Sequence, residues 1–352
     1  MTPSSIEPRA ESRAATQLAS FFYPVAQSRD LRDKPIERRV NGRTIALFRD
    51  GGGLAVAFDA ACPHHGANLA DGQVVDGCLA CPYHGWRFAA DGHCVLIPSH
   101  PDRRIPSRAA AVKLNLVEQQ GLIWVHAGPG EPLQPPPRLP FAEDPGFRAF
   151  TVEERMPGPA DWWLDNLMDI SHVPFVHRDS FGGRRTEVQP GPVERRADEL
   201  GFSSSVVVRY EYGLLARLIH GTVSAYTENV RFDVTVPATV HADIDMGGGR
   251  RQVLAMLATP EDDATTRVFI VVWRNYLKWA PGGDRLGRRF TRRILFEDRR
   301  IVERSLVTLR SAEQSAMAAD GSALELVRLL RLWREREAEA AGPVDAIPDG
   351  AP

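Results

Sequence analysis

The sequence predicts an α+β chain, and three observations lead there. Short strand-like runs broken by Gly and Asp turns fill residues 21–127. A proline-rich stretch, Glu131-Pro-Leu-Gln-Pro-Pro-Pro-Arg-Leu-Pro140, then interrupts the pattern. Beyond it, β-rich runs and helical segments come in separate blocks rather than in strand–helix alternation.

The first module opens after the sequence MTPSSIEPRAESRAATQ, which has no apolar core and carries acidic residues. That excludes a secretory signal and predicts a disordered tail over residues 1–20 of a cytoplasmic protein. Within residues 21–130 the clearest strands are Arg43–Arg49, ahead of the turn Asp50-Gly-Gly-Gly53, then Leu54–Phe58 and Gly121–His126. Residues 131–140 read as a stiff linker. The second domain, 141–352, starts with a helical segment over Ala160–Val173. Long β-rich runs follow at Phe202–Tyr212, Ser224–Val236 and Val253–Tyr276. A helix is expected at about Asp284–Ser311, and an amphipathic one at Leu324–Ala341 closes the chain.

Length and charge narrow the function. At 352 residues the chain holds about two domains' worth of material. Its 43 basic and 45 acidic side chains nearly cancel, so no basic field exists to hold nucleic acid. No apolar run approaches the ~20 residues that span a bilayer, so no membrane partner is expected.

The four cysteines, Cys62, Cys78, Cys81 and Cys94, lie between positions 62 and 94, with His64, His65, His84 and His93 among them. That is no disulfide scaffold for a chain of this size, and it points to metal, redox chemistry or burial. Cys62-Pro-His64 and Cys81-Pro-Tyr-His84 are two Cys-plus-His pairs, each followed by glycine within two residues. A two-iron cluster with mixed ligands requires this set: thiolates on one iron, neutral imidazoles on the other. Zinc also accepts two Cys and two His, although its fingers pair Cys with Cys and His with His.

A second constellation is Asp165-Asn-Leu-Met-Asp169-Ile-Ser-His172-Val-Pro174-Phe-Val-His177. Helical spacing places Asp165, Asp169 and His172 on one stripe. Pro174 is expected to break the helix at Val173, letting the chain return His177 to His172. Two such histidines and one carboxylate would make the facial triad of non-heme iron(II), with positions left open for dioxygen and substrate.

The first motif, with Pro63, Gly66, Pro82, Gly85 and Trp86 around it, resembles the Rieske [2Fe–2S] domain. Ala67 and Tyr83 stand where respiratory Rieske proteins carry a disulfide, so the likeness is to the soluble, low-potential branch. Cys78 and Cys94 fall outside the ligand pattern and are read as buried small hydrophobes, and His65 as a neighbour of the cluster. With the second motif, the whole span from Phe21 to Ala341 resembles the terminal oxygenase subunits of Rieske non-heme iron oxygenases. The short chain and the opening Phe22-Tyr-Pro-Val25 are similar to the vanillate/dicamba O-demethylase and methylxanthine N-demethylase branch.

The resemblance implies an all-β Rieske domain followed by a helix-grip-like catalytic domain with a central antiparallel sheet. It implies cluster ligands Cys62, His64, Cys81 and His84, with Trp86 in support. It implies iron ligands His172 and His177 beside Asn166. Asp298, in Phe296-Glu-Asp-Arg-Arg-Ile-Val-Glu303, becomes the third ligand, with Glu297 and Glu303 as alternatives. Asp169 becomes the carboxylate bridging the iron of one subunit to the cluster of the next in a homotrimer. Oxidative demethylation or hydroxylation of a ring compound with O2 follows, with ring hydroxylation of a larger hydrophobic substrate as the alternative. Ser305 and the stretch after it depart from the demethylase pattern and leave the substrate class open. A non-catalytic Rieske electron carrier is the reading from another class. Pocket positions are expected on the strands of residues 202–276, with Tyr226, Phe232 and Met256 as candidates. Gly247-Gly-Gly249 reads as a hairpin turn, and no dinucleotide fingerprint is present, so a separate NAD(P)H-dependent reductase with a ferredoxin domain is required.

Overall fold

Turn chemistry sets the first domain. Asn41-Gly42, Asp76-Gly77 and Gln120-Gly121 all take positive φ at both residues. Such two-residue turns match the twist of flanking antiparallel strands. They join β2 (Ile36–Val40) to β3 (Arg43–Arg49), β5 (Gln73–Val75) to β6 (Cys78–Ala80), and β9 (Asn115–Gln119) to β10 (Leu122–His126). With β1 (Tyr23–Gln27), β4 (Ala55–Asp59), β7 (Arg87–Phe88) and β8 (Cys94–Leu96), they form three small sheets ordered β1-β10-β9, β2-β3-β4 and β5-β6-β7-β8. The structure, a computed structural model, describes residues 17–178, 180, 186–211, 225–308 and 320–341.

The second domain is one antiparallel sheet of seven strands, β11-β17-β16-β15-β14-β13-β12. The strands are β11 (Arg148–Pro157), β12 (Thr186–Arg195), β13 (Gly201–Glu211), β14 (Ala225–Thr235), β15 (Thr239–Asp245), β16 (Arg251–Asp262) and β17 (Thr265–Arg274). Helices α1 (Ala160–Met168), α2 (Val173–Val176), α3 (Gly283–Thr308) and α4 (Gly321–Ala341) complete it. One sheet face, with Phe232, Met256, Ile270 and Val272, packs in a common core with Trp163 and Met168 of α1, Leu295 of α3 and Leu329 of α4. Alternate residues on the opposite face, Leu257, Phe269, Val271 and Trp273, meet Phe22, Leu122, Trp124 and Leu139. Part of the first domain therefore packs on the side of the sheet away from the helices, while Phe21 and Tyr23 join the core on the helix side. Each such fully buried large side chain contributes about 2 kcal/mol.

A part-buried charge network joins the two domains. Arg267 donates to Glu153 at 2.9 Å, Arg155 donates to Glu261 at 2.5 Å, and Arg38 lies 3.6 Å from Glu153. Among the described residues no helix is long and apolar enough to cross a membrane.

The α+β expectation holds, and several local expectations need correction. Residues 1–16 of the expected tail lie outside the described residues. Its end does not behave as a tail, because Leu18 is fully buried and Ala19 and Ser20 donate backbone N–H groups to Glu337. The proline-rich stretch read as a stiff linker is tied to the first domain by hydrogen bonds. Gln119 donates to the Pro136 and Pro137 carbonyls, and Gln120 both donates to and accepts from the Leu139 backbone. The apolar run 253–276 is two strands, β16 and β17, turned at residues 263–264. The Gly247-Gly-Gly249 turn joins β15 to β16 as a hairpin. Cys94 is buried, but Cys78 is only half-buried.

Candidate metal centres

The two cysteine loops share one construction. In the first, Gly66 N–H closes onto the Cys62 carbonyl at 2.8 Å; in the second, Gly85 N–H closes onto the Cys81 carbonyl at 3.1 Å. Both glycines take left-handed backbone, φ 71° and 70°. A Cβ at Gly85 would also press within 3.1 Å of the Pro98 ring. This explains why a glycine stands four residues after each cysteine.

The loops bring Cys62 and Cys81 together as buried thiols in mutual contact. Burial pushes the Cys62 thiol up to about 11, the His64 backbone N–H pulls the other way, and Cys81 adds to the rise. Two adjacent buried thiols ionise only against a strong positive charge, which iron supplies. His64 stacks on Trp86 with ring centroids 4.3 Å apart and 11° between planes, and its centroid lies 4.6 Å from that of His84. Burial and the neighbouring imidazoles hold His64 below the ordinary histidine value, favouring the neutral ring that a metal needs. Its Nδ1 is buried and has no hydrogen-bond partner. An orphaned buried ring nitrogen fits a metal-bonded atom. His84 is exposed, so the imidazole side reaches the surface while the sulfurs stay inside.

Among the described residues, one set of three Cys, His, Asp or Glu donors lies within 4.8 Å of one another, and it is not in these loops. A single tetrahedral zinc would draw all four donors to within about 4 Å. Thiol pair and imidazole pair are instead set apart, as a two-metal cluster requires.

That one set is His172, His177 and Asp298. The local fold differs from the expectation of one continuous helix broken by Pro174. Helix α1 ends at Asp169, whose backbone is extended (φ −80°, ψ 95°) and whose side chain accepts from Ser171 N–H at 2.8 Å. A 3-10 turn over Ile170–His172 follows, then α2 with Pro174 in its first turn and Val173 helical. The early break at Asp169, made by an Asx-type cap, swings His172 round. Proline instead starts the short helix that returns His177, since its missing N–H costs nothing there.

The Nε2 atoms of the two histidines lie 3.3 Å apart, and Asp298 Oδ1 lies 3.0 Å from His177 Nε2 and 3.5 Å from His172 Nε2. His177 and Asp298 are buried, and Asp298 Oδ1 has no hydrogen-bond partner. Three donors converge on one point, and the residues fit a mononuclear iron. Glu303 does not join them, because it pairs with Arg299 along α3 at 2.7 Å. Glu297 takes a role that sequence reasoning missed: it accepts from His177 Nδ1 at 2.9 Å, on the ring edge away from Asp298. Ser180 and Arg293 donate to the same carboxylate at 2.8 and 3.0 Å. Burial raises Glu297, but His177, Ser180 and Arg293 outweigh it and hold the carboxyl below its ordinary range. His177, pulled down by burial, is carried above its ordinary value by Asp298 and Glu297. Asp169 Oδ2 lies 3.6 Å from His172 Nδ1 and is part-exposed. Phe232 lines a small cavity with Met168, Ile170, Ser171 and Val188, next to the His172 turn. Met256 is core, and the side chain of Tyr226 lies outside the described residues.

A β-rich module with a thiol pair and an imidazole pair, joined to a helix-backed antiparallel sheet with a 2-His-1-carboxylate set, defines the class of Rieske-type oxygenases. The Rieske [2Fe-2S] domain family matches residues 21–114, and the vanillate O-demethylase oxygenase C-terminal domain matches residues 156–336. The chain belongs to the Rieske non-heme iron oxygenases, and a [2Fe–2S] cluster and a non-heme iron are the cofactors of that family. It is 28% identical to the oxygenase component of dicamba O-demethylase from Stenotrophomonas maltophilia, over 92% of this chain and 99% of that one. It is 39% identical to aminopyrrolnitrin oxygenase PrnD from Pseudomonas fluorescens over 47% of each chain. The chain spans about a third to a half of the length of the first curated relatives it matches, including 32% of TIC 55 from Arabidopsis thaliana. Crystal structures of dicamba monooxygenase bound to dicamba (TM-score 0.78, 25% identity, 92% and 99% of the chains) and of Pseudomonas putida CBB5 NdmA with caffeine (0.77, 22%, 93% and 94%) share its fold.

Proposed function

We propose that the protein is the oxygenase component of a monooxygenase system that hydroxylates or oxidatively demethylates a ring-bearing small molecule. The convergence of His172, His177 and Asp298 within 4.8 Å carries this reading, because an electron-carrying Rieske protein has no use for a second donor set. Cys62, His64, Cys81 and His84 would hold the cluster, and His172, His177 and Asp298 the iron. When bound, the cluster supplies electrons singly and the iron offers open positions to dioxygen beside substrate.

The chain's own residues prepare that chemistry. Glu297, ionised, fixes the proton of His177 on Nδ1 and so directs the Nε2 lone pair to the centre. Ser180 and Arg293 hold Glu297 in place. Asp169 both ends α1 and stands beside His172 Nδ1, with enough exposure to meet a cluster histidine of a neighbouring copy. A homotrimer would supply that neighbour, and a separate NAD(P)H-dependent reductase with a ferredoxin domain the electrons. The likeness to dicamba O-demethylase along the whole of that chain favours demethylation over simple ring hydroxylation.

Iron and acid-labile sulfide per chain test the reading. About three irons per two sulfides are expected, falling to about two in His172→Ala. Formaldehyde release from methylated aromatics with a Rieske reductase would then follow. Two irons unchanged by the mutation after ferrous reconstitution would leave only an electron carrier.

A further inference from the structure

Strand alternation puts one carboxylate where the core should be apolar. On β14, Glu228, Val230, Phe232 and Val234 share the face that packs toward the helices, and all four are buried. Glu228 is only 8% exposed, and among the described residues burial alone acts on its carboxyl. Burial without a counter-charge lifts its carboxyl to about 7. Folding gains nothing from such a group, since an unpartnered buried carboxyl costs stability. Arg274, on the same face, is already paired with Asp284 at 2.7 Å.

Register relates this group to the iron site. Glu228 lies opposite Val208, and Val208 opposite Val188. Val188 lines the cavity shared with Ile170 and Ser171, the two residues before His172. Two strand spacings, about 10 Å, separate Val188 from Glu228 along this rung. That is the span of a substituted aromatic ring. Tyr276 donates to Gln252 at 2.5 Å, adding a second polar group at this end of the sheet.

We propose that Glu228 is the specificity-determining residue of the substrate pocket and receives the basic nitrogen of an amine-bearing ring compound, with Tyr276 and Gln252 as its polar flank. The amine supplies the counter-charge that the described residues do not, and a carboxylate-bearing ring is rejected by like charge. The proposal rests on the oxygenase reading for the reaction itself, so its test reads binding alone.

The experiment is calorimetric titration of the full-length holoprotein with 3-methoxybenzylamine, 3-methoxybenzyl alcohol and 3-methoxybenzoate. The amine should bind about tenfold or more tighter than the benzoate, and Glu228→Gln should erase that preference while the alcohol stays within about twofold. Iron and sulfide content in the variant should match wild type, which separates a failure here from a failure of the oxygenase reading. Equal or tighter binding of the benzoate, an amine preference that survives Glu228→Gln, or no detectable amine binding would overturn the assignment.

Discussion

His177 is held at both ring nitrogens, and the two contacts have different consequences. Asp298 meets Nε2 on the metal side, while Glu297 accepts from Nδ1 and sets the tautomer. Glu297→Ala should therefore lower iron affinity by about 10- to 100-fold with the cluster spectrum unchanged, measured as iron retained during chelator titration. Unchanged retention would remove Glu297 from that role. Glu228 makes a prediction of opposite sign. Its carboxyl rises from 4.5 unfolded to about 7 folded, so the folded state resists ionisation. The cost is absent below pH 4.5 and complete above pH 7. Stability of Glu228→Gln relative to wild type should then increase by about 2 kcal/mol from pH 5 to pH 8, read from urea unfolding. A flat difference would mean that the carboxyl has a partner.

Among elements, the cysteine loops were the most legible, because their chemistry and backbone are written together over a few residues. Cysteine, histidine and glycine stand in fixed order, and the closing hydrogen bond runs from each glycine to its cysteine. Gly85→Ala should disrupt the second loop through its positive φ and the Pro98 contact, at about 1 kcal/mol or more, and bleach the cluster absorbance while leaving iron at the second site. The iron-bearing segment was legible only in part. The return of His177 to His172 could be expected from the break, yet the break itself was misplaced. Proline is a conspicuous signal, whereas an aspartate that caps the next turn looks the same as one on a helix stripe. Asp298 lies 121 positions beyond His177, where no local spacing can link them. Only family likeness could nominate it. The Glu297 contact depends on which side of α3 faces His177, and that is decided by packing.

At the scale of the whole molecule, the geometry of each centre suggests where electrons must travel. The cluster loops expose His84, and Asp169 is part-exposed beside His172, so each centre presents one face outward. In the proposed trimer these faces meet between copies. Co-expressed Cys81→Ala and His172→Ala chains would test this without any knowledge of the natural substrate, once one demethylation substrate is in hand. Each variant alone should be inactive, one lacking a cluster and the other an iron. If electrons cross a head-to-tail interface, a random mixture places an intact cluster next to an intact iron at about one quarter of the sites. Activity near that fraction of wild type is therefore expected, and Asp169→Asn added to the Cys81→Ala chain should abolish it. If transfer stayed within one chain, every mixture would be inactive, and the trimer would have no part in the reaction.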